Sequence, residues 1–160
     1  MTIDHYAECE LAVAKLLANL TDIFKVGAVT QGNYAVLDRG FDRCAVIIPG
    51  SFTGTKRALG SALKDYQWSI TVDIFQRYQQ PDKAFGLFKE MRSAVIEQID
   101  SHPLLTLEDV QIHGIIDSSV QSGGEPTFIS KEGTNVYTHL TQSLSVTVIQ
   151  LVELTGSDFS

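Results

Sequence analysis

The feature that most constrains the fold is a strict alternation of apolar and polar residues from Gln67 to Phe75. The apolar members are Trp68, Ile70, Val72 and Ile74, and the polar members are Ser69, Thr71 and Asp73. Side chains that alternate in this way point to opposite faces of a β-strand. A long segment from Thr138 to Val152 alternates similarly, although Gln142 falls among its apolar positions. These segments predict a sheet with one packed face and one face in water or on a partner.

Two segments have helical periodicity instead. The first runs from about Ile3 to Leu20, with Thr2 or Asp4 available as its N-cap, and the second runs from Pro81 to about Asp100. Their apolar residues recur every three or four positions, as in helices that pack on a sheet. The order helix, strands, helix, strands predicts an α+β fold, with an antiparallel or mixed sheet and two helices packed on one face.

The remaining segments predict shorter strands and long loop arms. Strands are expected near Tyr34 and Val36, from Cys44 to Ile48, and from Val110 to Ile116. The segments Pro49–Gly60 and Gln121–Asn135 contain several glycines and mixed polarity, and long loops of this kind are often functional. We expect a single domain over residues 1–152 and a flexible C-terminal tail over residues 153–160.

Composition argues against several classes of protein. The net charge is −7, whereas binding to a phosphate backbone requires clustered Lys and Arg. The N-terminal residues are acidic and lack the apolar core of a secretory signal, and the longest apolar run is too short to span a bilayer. We therefore expect a soluble protein that is made in a cytoplasm and binds neither a membrane nor a specific nucleic acid sequence.

A catalytic or metal-binding pattern in the sequence would indicate an enzyme. Cys9 and Cys44 lie in no zinc or redox spacing and are expected to be small buried residues. His113 and His139 could meet across a sheet as a metal pair, but no acidic or cysteine ligand accompanies them at a useful spacing. Asp117 could contribute to an acidic site, although a turn explains it equally well. We expect no catalytic residue, no metal and no cofactor.

The segment from Trp68 to His102 resembles phage tail terminator (tail completion) proteins. In that family a tryptophan-led strand ends near an aromatic-Arg-Tyr turn, and a helix with a central Arg leads to a segment like His102-Pro103-Leu104-Leu105. A closing strand like that from Leu140 to Val148 follows. The resemblance implies a hexameric ring of identical subunits at the head-proximal end of the virion tail. Such a ring caps the tail tube, ends tube polymerisation and binds the head connector.

The resemblance transfers no individual contact residue, so the interface was predicted from the loop arms and nearby exposed side chains. The candidate interface residues are Phe52, Lys56, Arg57, Arg77 and Phe128. Solvation of the charges and local packing of the aromatic rings are the alternative interpretations. Two other functions remain open: another head–tail joining or neck subunit, and a small cytosolic α+β enzyme of a different family.

Overall fold

The computed structural model describes residues 4–153 except 59, 61, 107–111 and 113. These residues form a mixed sheet of six strands with two α-helices and one 3₁₀ helix, which confirms the predicted α+β class. The strands are β1 Val29–Gln31, β2 Arg43–Lys56, β3 Leu63–Arg77, β4 Ile115–Gly123, β5 Thr127–Ser130 and β6 Tyr137–Glu153. The order is β1-β2-β3-β6-β4, and β5 also pairs with β6. Only the β1–β2 pair is parallel among these strands.

The two alternating segments form the centre of the sheet, as predicted. Strand β3 pairs with β6 along its whole length, and Trp68 lies opposite Val148 while Val72 lies opposite Leu144. These side chains are buried on one face, because the two-residue period of each strand brings its apolar residues to the same side. Gln142 lies on this face and is also buried, where its side chain accepts a hydrogen bond from Arg92 at 3.2 Å.

Both helices cover that apolar face, which confirms the predicted packing. Helix α1 spans His5–Ala18 and begins at Asp4, whose carboxylate accepts a hydrogen bond from the backbone N–H of Ala7 at 2.9 Å. Helix α2 spans Pro81–Asp100 and has Pro81 in its first turn, where no intrahelical N–H is required. The two helices pack beside each other over the core. Neither helix is long and apolar enough to cross a membrane, judged on the described residues.

The predicted strand near Tyr34 and Val36 is wrong, because this segment forms a 3₁₀ helix from Tyr34 to Arg39. The Asn33 side chain caps its start by accepting a hydrogen bond from Ala35 N at 3.0 Å. The helix lies against the other face of the sheet: Val36 is fully buried, and the Tyr34 hydroxyl donates to Asp73 at 2.7 Å. A buried Val and an aromatic ring two residues apart fit either conformation, so long-range packing decides between them.

The predicted loop Pro49–Gly60 is also wrong in part, because only the described residues after Lys56 lie outside a strand. Strand β2 continues through Pro49 and Gly50 to Lys56 and forms a long hairpin with β3. Proline is compatible with this position because β2 is an edge strand here and the register shifts between Pro49 and Phe52. Gly50 is required for close approach, since a Cβ atom at this position would lie 2.7 Å from the carbonyl oxygen of Ser69.

The second predicted loop, Gln121–Asn135, is wrong in part, because β4 extends into it and β5 lies within it. The expected strand from Val110 to Ile116 overlaps β4 only at Ile115 and Ile116, and residues 107–111 and 113 lie outside the described part of the chain. Both β4 and β5 are rich in Ser, Thr or Gly, and they form strands because β6 supplies a long pairing edge. Of the predicted flexible tail, residues 153–160, Glu153 is instead the last residue of β6, and the rest lies outside the described residues.

Candidate assembly surface

An open groove lies where the hairpin of β2 and β3 meets the start of α1. Four aromatic side chains line it, and we call it the aromatic groove: Tyr6, Phe52, Tyr66 and Trp68. Tyr66 stacks on Trp68 at a centroid distance of 4.4 Å, while Tyr6 meets Trp68 edge-on at 5.0 Å and Phe52 lies 5.5 Å from it. The groove encloses a volume of about 690 Å³. Phe52 forms its outer wall and is 61% exposed.

Hydrogen bonds from Tyr6 hold helix α1 against this hairpin. The Tyr6 hydroxyl donates to the backbone carbonyl of Ser69 and accepts a hydrogen bond from the N–H of Gly50 at 2.7 Å. Burial raises the pKa of Tyr6, so the hydroxyl keeps its proton for donation. The indole N–H of Trp68 donates to the buried side chain of Gln150 at 2.9 Å. Hydrogen bonds therefore fix the positions of Tyr6 and Trp68, two of the four rings that line the aromatic groove.

The hairpin tip carries two of the predicted interface cations. Arg57 forms an ion pair with Asp65 across the hairpin, at 3.2 Å, while both side chains remain well exposed. Lys56 is the last residue of β2 and is exposed, and it lies opposite Lys64 in the register. The ammonium group of Lys64 lies 4.8 Å from the centre of the Tyr66 ring. Because Arg57 already has a carboxylate partner, Lys56 is the better candidate for binding an acidic partner.

A second exposed aromatic surface lies at the opposite end of the sheet. We call it the terminal aromatic cluster: Tyr78, Phe85, Phe128 and Tyr137. Phe128 stacks on Tyr137 at 4.5 Å and meets Tyr78 edge-on at 5.2 Å. Three of the rings are well exposed: Phe85 at 45%, Phe128 at 38% and Tyr137 at 46%. Tight mutual packing with this much exposure is typical of surfaces that bind another protein.

The five predicted interface residues therefore do not form one patch. Phe52, Lys56 and Arg57 lie on the hairpin, whereas Arg77 and Phe128 lie at the other end of the sheet. The Arg77 guanidinium donates to the carbonyl of Gly40 at 3.3 Å, beside the end of the 3₁₀ helix. Whether any of the five contacts a partner stays a prediction.

Sequence reasoning missed the aromatic partners at both ends of the sheet. They are Tyr6 and Tyr66 in the aromatic groove, and Tyr78, Phe85 and Tyr137 in the terminal aromatic cluster. Tyr66 and Trp68 are two positions apart, and this spacing on a predicted strand indicates a shared face. The contacts with Tyr6 and Phe85 come from distant helices and leave no local pattern in the sequence.

The residues considered for chemistry are dispersed. His139 is buried beside Thr138, and burial followed by the nearby Arg77 charge lowers its pKa. Its proposed metal partner, His113, lies outside the described residues. Asp117 is exposed at the edge of β4. Over the described ranges, no three potential metal ligands from His, Cys, Asp and Glu come together.

The two cysteines are buried, as predicted. Cys9 and Cys44 are 0% and 1% exposed. Burial raises the pKa of Cys9 to about 12 and that of Cys44 to about 11. At neutral pH both side chains are therefore neutral thiols inside the core and not nucleophiles.

No protein-family model and no curated protein sequence matches this chain.

Proposed function

We propose that this chain is a structural virion subunit that forms a hexameric ring, caps the tail tube of a phage and binds the head connector. The sequence resemblance to tail terminator proteins supplies the proposal. Its partners are copies of itself, the tube protein and the connector protein. A ring between two different assemblies needs one binding surface on each of its two faces, in addition to contacts between neighbouring subunits.

The observation that carries the proposal is the presence of two exposed surfaces at opposite ends of one sheet. The hairpin tip lies at one end, and the terminal aromatic cluster lies at the other. Between Trp68, level with Phe52, and Gln76, level with Leu140 and Phe128, β3 advances eight residues. At ~3.4 Å per residue this is about 27 Å. If the strands run along the ring axis, each surface faces a different neighbour in the tail.

The chemistry of the two surfaces differs, as expected for two different partners. The hairpin tip carries Lys56 and Lys64 beside the Arg57–Asp65 ion pair, so it suits an acidic partner. The terminal aromatic cluster offers rings with a large contact area and suits an apolar pocket. A head-proximal position in the tail accounts for both surfaces on one small subunit.

The proposal is tested by polymerising purified tube protein in the presence and absence of this chain and measuring tube length by electron microscopy. We expect short capped tubes with the chain present and tubes of uncontrolled length without it. If tube length is unchanged while the protein still binds connector, a neck subunit is the correct assignment. If it binds neither tube nor connector, the proposal of a tail function fails.

Two pairs of variants separate the two ends of the subunit. Lys56→Glu changes the hairpin tip, and Phe128→Ser changes the terminal aromatic cluster. The matched controls are Lys25→Glu and Val26→Ser, both at exposed positions that belong to neither surface. We expect one test variant to lose tube capping and the other to lose connector binding, with both controls unaffected. Equal effects of the test and control variants would contradict the assignment of the two surfaces.

A further inference from the structure

The two margins of the sheet are unpaired over matching lengths. On one side, β1 pairs with β2 only from Ala45 to Ile47, so the outer part of β2 has β3 as its only neighbour among the described strands. On the other side, β4 pairs with β6, and the described residues place no strand beyond it. Unpaired strand edges present backbone N–H and C=O groups that can pair with another chain.

These two margins lie at the same height along the sheet. The pairing register connects four residues in one line across it: Thr53, Gln67, Ile149 and Asp117. The adjacent line connects Gly54, Tyr66, Gln150 and Ile115. A closed ring has rotation without a rise along its axis. Two edges that are to meet in such a ring must therefore lie level, and these two do when the axis runs along the strands.

The strand directions also match. Three successive antiparallel pairings separate β2 from β4, so the two strands run in opposite directions. Rotation about an axis parallel to the strands preserves direction, so β2 of the next copy would lie antiparallel to β4. Antiparallel pairing can join short edges through direct hydrogen bonds.

Each edge carries one large exposed apolar residue at a β-bulge. Phe52 follows the bulge in β2 and is 61% exposed, and Ile116 sits in the bulge of β4 and is 49% exposed. Phe52 is level with Ser118, two residues from Ile116. Asp117 and Ile115, which flank the bulge, are level with Thr53 and Gly54. At spacings of ~3.4 Å along and ~4.8 Å between strands, Ile116 would lie about 6–8 Å from Phe52, within reach of an aromatic side chain.

Internal hydrogen bonds limit how far the two edges can pair. The N–H of Gly50 is bound by the Tyr6 hydroxyl at 2.7 Å, and the N–H of Val120 is bound by the Asp100 carboxylate at 2.9 Å. Pro49, which is level with Val120, has no N–H. Pairing is therefore confined to a short segment above this height, which suits a closing contact and opposes open-ended aggregation.

We propose that the β2 edge from Phe52 to Gly54 of one copy pairs with the start of β4 in the next copy, with Phe52 packed against Ile116. This contact is head-to-tail, because each copy contributes a different edge to each of its two neighbours. The inference rests on the ring in the proposed function and identifies the surface that closes that ring.

Disulfide trapping tests the contact with the double variant Phe52→Cys, Ile116→Cys. Within one copy the two positions are separated by three inter-strand spacings, about 14 Å, which no disulfide spans, so any bond joins two copies. The native thiols Cys9 and Cys44 are buried and do not compete. The control is Phe52→Cys, Phe128→Cys, whose second position lies about 27 Å lower along the sheet.

We expect mild oxidation of the concentrated test variant to give a ladder of cross-linked species that ends at a closed ring, with at least a tenfold lower yield from the control. Cross-linking no greater than that of the control would overturn the inference. Efficient dimers from Phe52→Cys alone would also overturn it, because they would indicate a two-fold contact between identical edges. A full ladder from a protein that fails to cap tubes would uphold the contact and remove the tail function.

A mixing experiment checks the head-to-tail geometry without cysteines. Phe52→Asp leaves the β4 edge intact, and Ile116→Asp leaves the β2 edge intact. Each variant alone should remain monomeric, and an equimolar mixture should form heterodimers but no ring, as measured by native mass spectrometry. Rings formed by either variant alone would contradict the proposed pairing, and circular dichroism confirms that each variant is folded.

Discussion

Replacing Gln150 by leucine tests whether a buried hydrogen bond stabilises the wall of the aromatic groove. Gln150 is fully buried on the helix-covered face of β6. Its side-chain oxygen accepts hydrogen bonds from the Trp68 indole N–H at 2.9 Å and from the Cys9 thiol at 3.7 Å. Leucine is of similar size but offers no acceptor, so the Trp68 N–H loses this partner in a region that water does not reach.

The expected loss of stability comes from leaving the Trp68 indole N–H without a hydrogen-bond acceptor. A buried N–H without a partner costs ~1–3 kcal/mol, and the thiol is a weak donor that adds little. For a urea m-value of about 2 kcal/mol/M, the unfolding midpoint should fall by about 0.5–1.5 M. Other effects of the substitution at Gln150 do not depend on the indole N–H and should be common to any background.

The assay is urea unfolding followed by far-ultraviolet circular dichroism, since the comparison requires variants without Trp68, the only tryptophan. Four proteins form a double-mutant cycle: wild type, Gln150→Leu, Trp68→Phe and the double variant. Phenylalanine has no N–H, so Gln150→Leu should cost ~1–3 kcal/mol less in the Trp68→Phe background than in the wild type. An equal loss of stability in both backgrounds would refute the role of this hydrogen bond.

Four further predictions concern the pH dependence of stability, the backbone at two glycines, and thiol reactivity. Burial lowers the pKa of His139 below 6.5. The unfolded chain therefore binds a proton more readily than the folded protein, and the free energy of unfolding should fall as the pH drops below 6.5. His139→Gln should reduce this dependence of stability on pH, measured by denaturant titrations between pH ~7.5 and ~5.5. Gly114 has φ +81°, and a Cβ atom there would lie 2.1 Å from a backbone oxygen, so Gly114→Ala should cost about 2 kcal/mol or more in thermal melts. Gly86 lies in α2 with open space around it, so Gly86→Ala should instead stabilise by about 0.5–1 kcal/mol. Cys9 and Cys44 should react with a thiol reagent only after unfolding, and rapid reaction of either in the native protein would contradict their burial.

Of the residues on the two candidate surfaces, only those on the hairpin and in β5 could be predicted from the sequence. Phe52 and Phe128 are large apolar residues in segments rich in glycine and polar residues, and that contrast marks them as candidates. Their ring partners Tyr6 and Phe85 lie on helices far away in sequence. No local pattern indicates which helix residue will meet which strand, because that contact depends on how the helices lie on the sheet.

Two of the mistaken predictions have a common physical cause. Pro49-Gly50 usually ends a strand, but β2 continues because this part of it is an edge that needs no N–H from proline. The local pattern around Val36 fits a short strand. The segment instead forms a 3₁₀ helix that packs on the sheet and buries Val36. In both cases the position within the sheet, which is a tertiary property, overrides the local preference.

The amino-acid sequence alone determined the central strands, the two helices and therefore the α+β class. Periods of two and 3.6 residues are local properties of the backbone, and β3, β6 and α2 show them clearly. The tertiary structure alone decided that β2 and β4 form level, oppositely directed margins. Edge position and register arise from pairings between residues far apart in the chain, such as Thr53 with Gln67 and Ile149 with Asp117. The proposed contact between copies depends on those long-range pairings, and so no local pattern could reveal it.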